Sequence, residues 1–87
     1  PRIPFGSLVE LRIIKPGTSI FDHKKKVTAK IMADGSIKHA QTEGSIHKVA
    51  AAILGAESCN GWTYWHYNLD GTTVPIDFLR QRLISNN

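Results

Sequence analysis

The chain has 87 residues, of which 41% are hydrophobic, and its formal net charge is +4 at pH 7. This hydrophobic fraction argues against disorder, and the length suits one domain with a modest core. No apolar run approaches the roughly 18 residues that a membrane-spanning helix requires, so no membrane contact is expected. The positive charge favours an anionic partner such as nucleic acid, although many basic proteins bind none.

The first residue and the cysteine content indicate what kind of protein the sequence comes from. The first residue is Pro1 rather than methionine, so we expect the sequence to be a piece of a longer protein. The single cysteine, Cys59, excludes an internal disulfide and suits a reducing cytosol. It is more typical of a small buried residue than of a nucleophile. No metal site is predicted, because zinc-ligand spacing is absent among Cys59, His23, His39, His47 and His66.

The first half of the chain predicts one helix followed by strands. Apolar residues recur at helical spacing over residues 5–14, and Lys15-Pro16-Gly17 ends that helix. Alternating apolar residues predict a half-buried strand, and Asp34-Gly35 is a strong hairpin turn that follows it. The three strands are predicted at residues 19–22, 27–33 and 36–39, and a loop is predicted at residues 40–44.

The second half predicts two helices with a strand pair between them. Ser45 is a good N-cap for a helix that runs to Leu54, and Gly55 supplies its stop. Residues 62–67 have high β-propensity, and an Asp-Gly turn joins this strand to a short partner. The partner is predicted at residues 72–74 and the last helix from Pro75 to residue 84. The order α-βββ-α-ββ-α describes a small α+β domain with antiparallel strands and packed helices.

The helix start at Ser45 is a candidate anion site. The first backbone N–H groups of a helix lack internal partners and carry partial positive charge, which suits phosphate. His47 and Lys48 lie in this first turn, where a lysine is electrostatically unusual unless an anion is bound. The alternative is an ordinary cap with a solvated lysine.

The predicted strand at residues 62–67 has aromatic side chains on both faces. Trp62 points to one face and Trp65 to the other, so a functional interpretation exposes Trp62 for base stacking and buries Trp65. Asn60 can pair with an adenine edge, and Gly61 permits close backbone approach. The alternative places both tryptophans in the core and makes Asn60 a turn residue.

Two further features concern positive charge. Arg80 falls on the apolar stripe of the last helix, so it must pair with Asp77 or reach an anion such as a phosphate or a guanine edge. A basic loop is formed by Lys24, Lys25 and Lys26. Most lysine runs of this kind are solvated, but some contact DNA.

Two short phrases carry a family resemblance. Gly44-Ser45-Ile46-His47-Lys48 and Cys59-Asn60-Gly61-Trp62 resemble the C-terminal extension of the cell-cycle-regulated (CcrM-type) DNA adenine methyltransferases. That extension is called the restriction enzyme adenine methylase associated (RAMA) domain. Ile3-Pro4-Phe5-Gly6, Ala33-Asp34-Gly35-Ser36 and Pro75-Ile76-Asp77-Phe78-Leu79-Arg80 follow the same family in the same order. The resemblance therefore covers nearly the whole chain.

The resemblance implies a role in DNA binding. It strengthens the anion and base interpretations of Ser45, His47, Lys48, Asn60, Trp62 and Arg80, with Lys24, Lys25 and Lys26 as weaker candidates. Residues 1–87 would be one DNA-binding domain of a longer bacterial methyltransferase that methylates the adenine of GANTC with S-adenosylmethionine. The catalytic Asp-Pro-Pro-Tyr and the donor-binding Phe-x-Gly-x-Gly motifs of that class are absent, so no activity and no cofactor are expected of this chain.

The implied partners are DNA and the catalytic domain of the same parent, with a homodimer of the parent as a further possibility. The expected location is the bacterial cytoplasm, at the nucleoid. Two other functions stay open: an interaction or dimerisation module that orients catalytic domains, and a reader of methylated adenine. The net charge and the lysines favour DNA over the interaction module.

Overall fold

The computed structural model describes residues 2–86, which form helices packed on a six-stranded antiparallel sheet. The helices are α1 (Phe5–Glu10), α2 (Ile46–Leu54), α3 (Gly61–Tyr64) and α4 (Asp77–Ser85). The strands are β1 (Ser19–Phe21), β2 (Thr28–Ile31), β3 (Ile37–His39), β4 (Thr42–Gly44), β5 (His66–Leu69) and β6 (Thr72–Pro75). The predicted α+β class and its antiparallel strands are confirmed.

The sheet consists of two units, and within each unit the strands are consecutive in sequence. Strands β1 to β4 form a meander, and the β5–β6 hairpin pairs with the other edge of β1, which gives the order β4-β3-β2-β1-β5-β6. Burial alternates along β2, where Ala29 and Ile31 are buried and Thr28 and Lys30 are exposed. One face of the sheet therefore meets the core, as the alternating sequence predicts.

The core joins residues from every layer of the fold. Phe5 and Leu8 of α1, Val49 of α2 and Leu79 of α4 belong to the same buried cluster as the inward residues of the sheet. Trp65 is its largest fully buried side chain. Within residues 2–86 the structure contains no helix that is both long enough and apolar enough to cross a membrane.

The predicted loop at residues 40–44 is wrong, because it contains strand β4. Thr42–Gly44 pairs with β3 in antiparallel register, with Lys38 opposite Glu43. The turn before it places Ala40 in the left-handed region, at φ 52°. The strand lies at the sheet edge and has no buried alternate positions, so the sequence shows no period-2 pattern there.

The predicted strand at residues 62–67 is also wrong over its first part. Residues Gly61–Tyr64 form the short helix α3, and the strand begins only at His66. In a helical turn, Trp62 and Trp65 are three residues apart and lie on the same side, so both enter the core. The β-propensity of the aromatic residues is overridden by this packing.

Candidate nucleic-acid interface

Ser45 begins α2 as a side-chain cap. Its hydroxyl oxygen accepts a hydrogen bond from the backbone N–H of Lys48, at 3.0 Å between nitrogen and oxygen. At the other end Gly55 adopts the left-handed conformation, with φ 67°. Both predicted ends of this helix are confirmed. The first N–H groups of a helix have no acceptor within the helix, so this end carries partial positive charge.

The starts of α2 and α3 are locked together by hydrogen bonds. The backbone N–H of Gly61 donates to Nδ1 of His47 at 2.9 Å, and the indole N–H of Trp65 donates to the carbonyl of Ile46 at 2.9 Å. Because Nδ1 of His47 accepts, the proton of its neutral ring is on Nε2. The two phrases that carry the family resemblance are therefore one structural unit.

Gly61 is required by the closeness of the two backbones. A Cβ atom at this position would lie 2.5 Å from the carbonyl carbon and oxygen of Ile46 and 2.9 Å from the nitrogen of His47. The sequence predicted a close backbone approach at Gly61. The structure identifies the neighbour as the first turn of α2.

Asn60 acts as the cap of α3. Its side-chain oxygen accepts from the backbone N–H of Trp62 at 3.0 Å, which is the turn role that the sequence left open. The side chain is exposed, and its amide nitrogen makes no hydrogen bond within residues 2–86. Asn60 therefore retains donors for a ligand, while its oxygen is already engaged.

Trp62 is covered rather than exposed, which corrects its predicted role as a stacking surface. Its side chain is 6% exposed, with Phe5 packed edge-on at 6.0 Å between ring centroids. The guanidinium carbon of Arg80 lies 4.4 Å from the centroid of the indole ring. Trp62 therefore contributes to the core and supports Arg80 through a cation–π contact.

Arg80 also pairs with Asp77, the alternative that the sequence left open. The distance between Nη2 of Arg80 and Oδ1 of Asp77 is 2.6 Å, and the two side chains are about one quarter exposed. The contact is close but poorly directed for a hydrogen bond, so its attraction is mainly that of opposite charges. The pair and the indole ring together fix the plane of the guanidinium.

One cleft gathers most of the predicted site residues. Its volume is about 620 Å³, and the predicted residues on its walls are Ser45, His47, Asn60, Trp62 and Arg80. Three residues that were not predicted as site residues also line the cleft, namely Arg2, Gly6 and Gly35. Gly6 and Gly35 are in close contact, because a Cβ at Gly35 would lie 2.7 Å from the Cα of Gly6. Both glycines belong to phrases that carry the family resemblance, Ile3-Pro4-Phe5-Gly6 and Ala33-Asp34-Gly35-Ser36, and this was the only sign of the contact in the sequence.

The family model for Restriction Enzyme Adenine Methylase Associated (RAMA) domains matches residues 1–87. This chain belongs to the RAMA family. Among curated proteins it is similar to the Type II methyltransferase M.HinfI of Haemophilus influenzae, with 29% identity over 80 residues. The match covers 92% of this chain and 22% of that protein, so the chain spans about a fifth of its relative's length.

The charges around the cleft of this RAMA domain favour an anion. Its lining includes the positively charged Arg2 and Arg80 and the Nε2–H donor of His47, and no Asp or Glu is among the described lining residues. The carboxylate of Asp77, one turn before Arg80 on α4, is paired with Arg80. Within residues 2–86 no group of three or more His, Cys, Asp or Glu residues could hold a metal ion.

Two sets of predicted residues lie outside the cleft. Lys48 lines a neighbouring shallow pocket with Ser45 and His47, so it stands at the border of the cleft. The loop of Lys24, Lys25 and Lys26 precedes β2, whereas Gly35 follows the end of β2. A four-residue strand spans roughly 13 Å, so the structure does not bring these lysines to the cleft.

The loop of Lys24, Lys25 and Lys26, here called the lysine loop, is nevertheless ordered by internal hydrogen bonds. One side-chain oxygen of Asp22 accepts from the backbone N–H groups of Lys26 and Val27, at 2.7 and 2.9 Å. These hydrogen bonds lower the pKa of the Asp22 carboxyl below its usual range, and the bond from Val27 has the largest effect. Lys25 adopts the left-handed conformation at φ 59°. The loop is therefore ordered by its own acid, without a ligand.

Proposed function

We propose that this RAMA domain binds DNA through the cleft, as one domain of an adenine-N6 DNA methyltransferase. The observation that carries the proposal is the convergence of five predicted residues, from three separate parts of the sequence, on one cleft without an acidic residue among its described lining residues. Membership of the RAMA family and the similarity to M.HinfI support the link to methylation. By resemblance, the catalytic domain would act on the adenine of GANTC with S-adenosylmethionine.

The cleft offers two kinds of anion contact. The first turn of α2 presents backbone N–H groups at a positive helix end, capped by Ser45. The Nε2–H of His47 and the charges of Arg2 and Arg80 add side-chain donors around it. A backbone phosphate satisfies both, and Lys48 at the border extends the positive surface along the strand.

Arg80 takes the stacking role that the sequence assigned to Trp62. Its guanidinium carbon lies over the indole ring, 4.4 Å from the ring centroid, and the side chain is 26% exposed. Arginine guanidinium groups stack on flat π-systems, so the outer face can receive a base that has left the duplex stack. Asn60, with its free amide donors, lines the same cleft and can bind an acceptor on that base.

Such a cleft fits the needs of a methyltransferase that extrudes its target adenine. Base flipping costs a few kcal/mol and disturbs the pairing of the opposite strand. A domain that holds backbone phosphates and one unpaired base offsets part of that cost. The domain would hold DNA, and the catalytic domain would carry out the transfer.

The test measures DNA binding by this chain across a salt series, by fluorescence anisotropy with labelled oligonucleotides. We expect weak binding whose affinity falls steeply with salt, with a slope of about 0.9 for each phosphate contacted. A duplex with an unpaired adenine should bind better than a fully paired one. Absence of binding at low salt would overturn the proposal.

The same assay separates the alternative functions. A duplex that contains N6-methyladenine is compared with its unmethylated counterpart. We expect equal affinities, because the contacts proposed for the cleft are to backbone phosphates and to the face of an unpaired base, and an N6-methyl group leaves these in place. A preference above tenfold for the methylated duplex would identify a reader of methylated adenine. Tight self-association without DNA binding would identify an interaction module.

A further inference from the structure

His47 lies where the cleft meets the junction of α2 and α3. The residue is exposed and lines the cleft, and its Nδ1 accepts the backbone N–H of the buried Gly61. A buried backbone N–H needs an acceptor, and within residues 2–86 the ring of His47 is the only one that this N–H reaches. One ring therefore serves both the junction, through Nδ1, and the cleft, through Nε2–H.

The position of Gly61 determines how α3 presents its residues to the cleft. Asn60 caps α3 directly before Gly61, and its side-chain oxygen accepts from the N–H of Trp62 directly after it. The guanidinium of Arg80 in turn lies over the indole ring of Trp62. If Gly61 moves away from His47, the amide donors of Asn60 and the flat surface beneath Arg80 move with it.

Only a neutral ring can accept the hydrogen bond from Gly61. Neutral imidazole has one N–H and one acceptor nitrogen, whereas both nitrogens of the charged imidazolium carry a proton. Rotation of a charged ring does not restore the acceptor, because it exchanges one N–H for the other. Protonated His47 and the N–H of Gly61 are thus two donors that face each other. The bond from the indole of Trp65 to Ile46 involves neither group, so it keeps α3 packed on α2.

An added proton on His47 finds no carboxylate partner in the surroundings of the ring. The N-terminal end of α2, where His47 lies, already carries partial positive charge. Within residues 2–86 no ion pair joins the ring to a carboxylate, since the ion pair of this region is that of Arg80 with Asp77. The charged or titratable groups that share a pocket with His47 are Arg2, Lys48, Glu57, Cys59 and Arg80.

We propose that His47 is a positioning residue of the DNA cleft, which acts in its neutral form by holding Gly61 and, through it, Asn60. This inference rests on the proposed function, because the property that it controls is DNA affinity. Its consequence is a reversed pH dependence. A histidine that only contacts phosphate binds DNA more tightly when it gains charge, whereas protonation of His47 releases Gly61 and loosens the cleft. DNA affinity is therefore highest where His47 is neutral, and it falls as the pH falls.

The first experiment measures DNA affinity of this chain by fluorescence anisotropy at about pH 8 and about pH 5.5, a range in which histidine side chains titrate. In the wild type we expect affinity to be about two- to tenfold lower at the lower pH, which is the effect of one lost hydrogen bond. His23→Asn is the control, because His23 is exposed and does not line the cleft. It should keep the pH dependence of the wild type.

Two substitutions of His47 separate the acceptor from the donor. His47→Asn keeps an acceptor oxygen near the position of Nδ1 but loses the Nε2–H, and an amide does not titrate in this range. His47→Gln keeps a donor near the position of Nε2 but has no acceptor near Nδ1. We expect His47→Asn to bind DNA more tightly than His47→Gln, with an affinity that no longer falls at the lower pH. Thermal unfolding of each variant verifies that it is folded at the temperature of the assay.

The second experiment follows the same event without DNA, by proton–nitrogen NMR of the domain. The backbone amide of Gly61 and the side-chain amide of Asn60 should shift together with the titration of the His47 ring. In His47→Asn these shifts should be absent.

Four outcomes would overturn the positioning role. They are a wild-type affinity that rises relative to that of His47→Asn as the pH falls, tighter binding by His47→Gln than by His47→Asn, loss of the pH dependence in His23→Asn, and a Gly61 signal that does not follow the His47 ring. If the wild type binds no DNA at either pH, the proposed function falls, while the NMR titration still decides whether His47 holds Gly61 and Asn60.

Discussion

Gly61 and His47 show how single residues shape this domain. The glycine allows the start of α3 to touch the backbone of α2, and its N–H then reaches the histidine ring. The sequence indicated that Gly61 permits a close approach, because a glycine has no Cβ atom. The partner of that approach is 14 residues away in sequence, so no local pattern could identify it.

Gly61→Ala should destabilise the domain by about 1–3 kcal/mol or more, because the added methyl group overlaps backbone atoms that cannot move separately. Thermal unfolding followed by tryptophan fluorescence measures the effect. Gly6→Ala is the control, since a Cβ at Gly6 meets its nearest neighbour at an ordinary 3.9 Å. If both variants unfold at the wild-type temperature, the contact between α2 and α3 is not required.

Arg80→Lys should reveal whether the guanidinium plane receives a base. Lysine keeps the charge but loses the flat face, so binding to backbone phosphates should persist while preference for an unpaired base disappears. The measurement compares an oligonucleotide that carries an unpaired adenine with one that carries an abasic site. We expect a several-fold preference for the adenine in the wild type and equal affinities in the variant. An equal preference in both proteins would assign Arg80 a charge contact only.

At the scale of elements, local chemistry determined what the sequence could predict. Caps, glycine stops and Asp-Gly turns are set by neighbouring residues, and the ends of α2 were predicted correctly for that reason. Helix α3 depends on a partner distant in sequence, the start of α2, whereas β4 pairs with its neighbour β3 but lies at the sheet edge and has no alternating pattern of burial. The error at α3 also misplaced Trp62, since helical rather than extended backbone puts both tryptophans on one side.

Ser45→Ala tests the link between a helix end and the anion site. Loss of the cap should lower stability by about 1 kcal/mol, which corresponds to a fall in melting temperature of about 4–8 °C in a domain of this size. DNA affinity should fall as well, measured well below the new melting temperature, because the first turn of α2 frays. Ser19→Ala, at an exposed strand position, serves as the control. Wild-type DNA affinity in Ser45→Ala would leave Ser45 as a structural cap alone.

At the scale of the whole molecule, the positive charge is divided between separate surfaces. The cleft with Arg2 and Arg80 lies at one end of the β2–β3 hairpin, and the lysine loop lies at the other. The sequence indicated both sets as DNA-binding candidates, with the lysines as the weaker ones, but it could not show where the two sets lie relative to each other. The topology separates them along the length of β2.

This separation predicts that the lysine loop contributes little to binding at the cleft. Replacing Lys24, Lys25 and Lys26 together by alanine removes three charges, but a short duplex seated in the cleft should not reach them. The slope of log affinity against log salt should therefore change by less than one phosphate contact, about 0.9. Arg2→Ala with Arg80→Ala removes only two charges, yet should reduce the slope by one to two contacts. A triple alanine at the exposed residues Lys15, Lys30 and Lys38 controls for net charge. If the loop variant loses more slope than the cleft variant, DNA runs across the loop and the cleft is not its main contact.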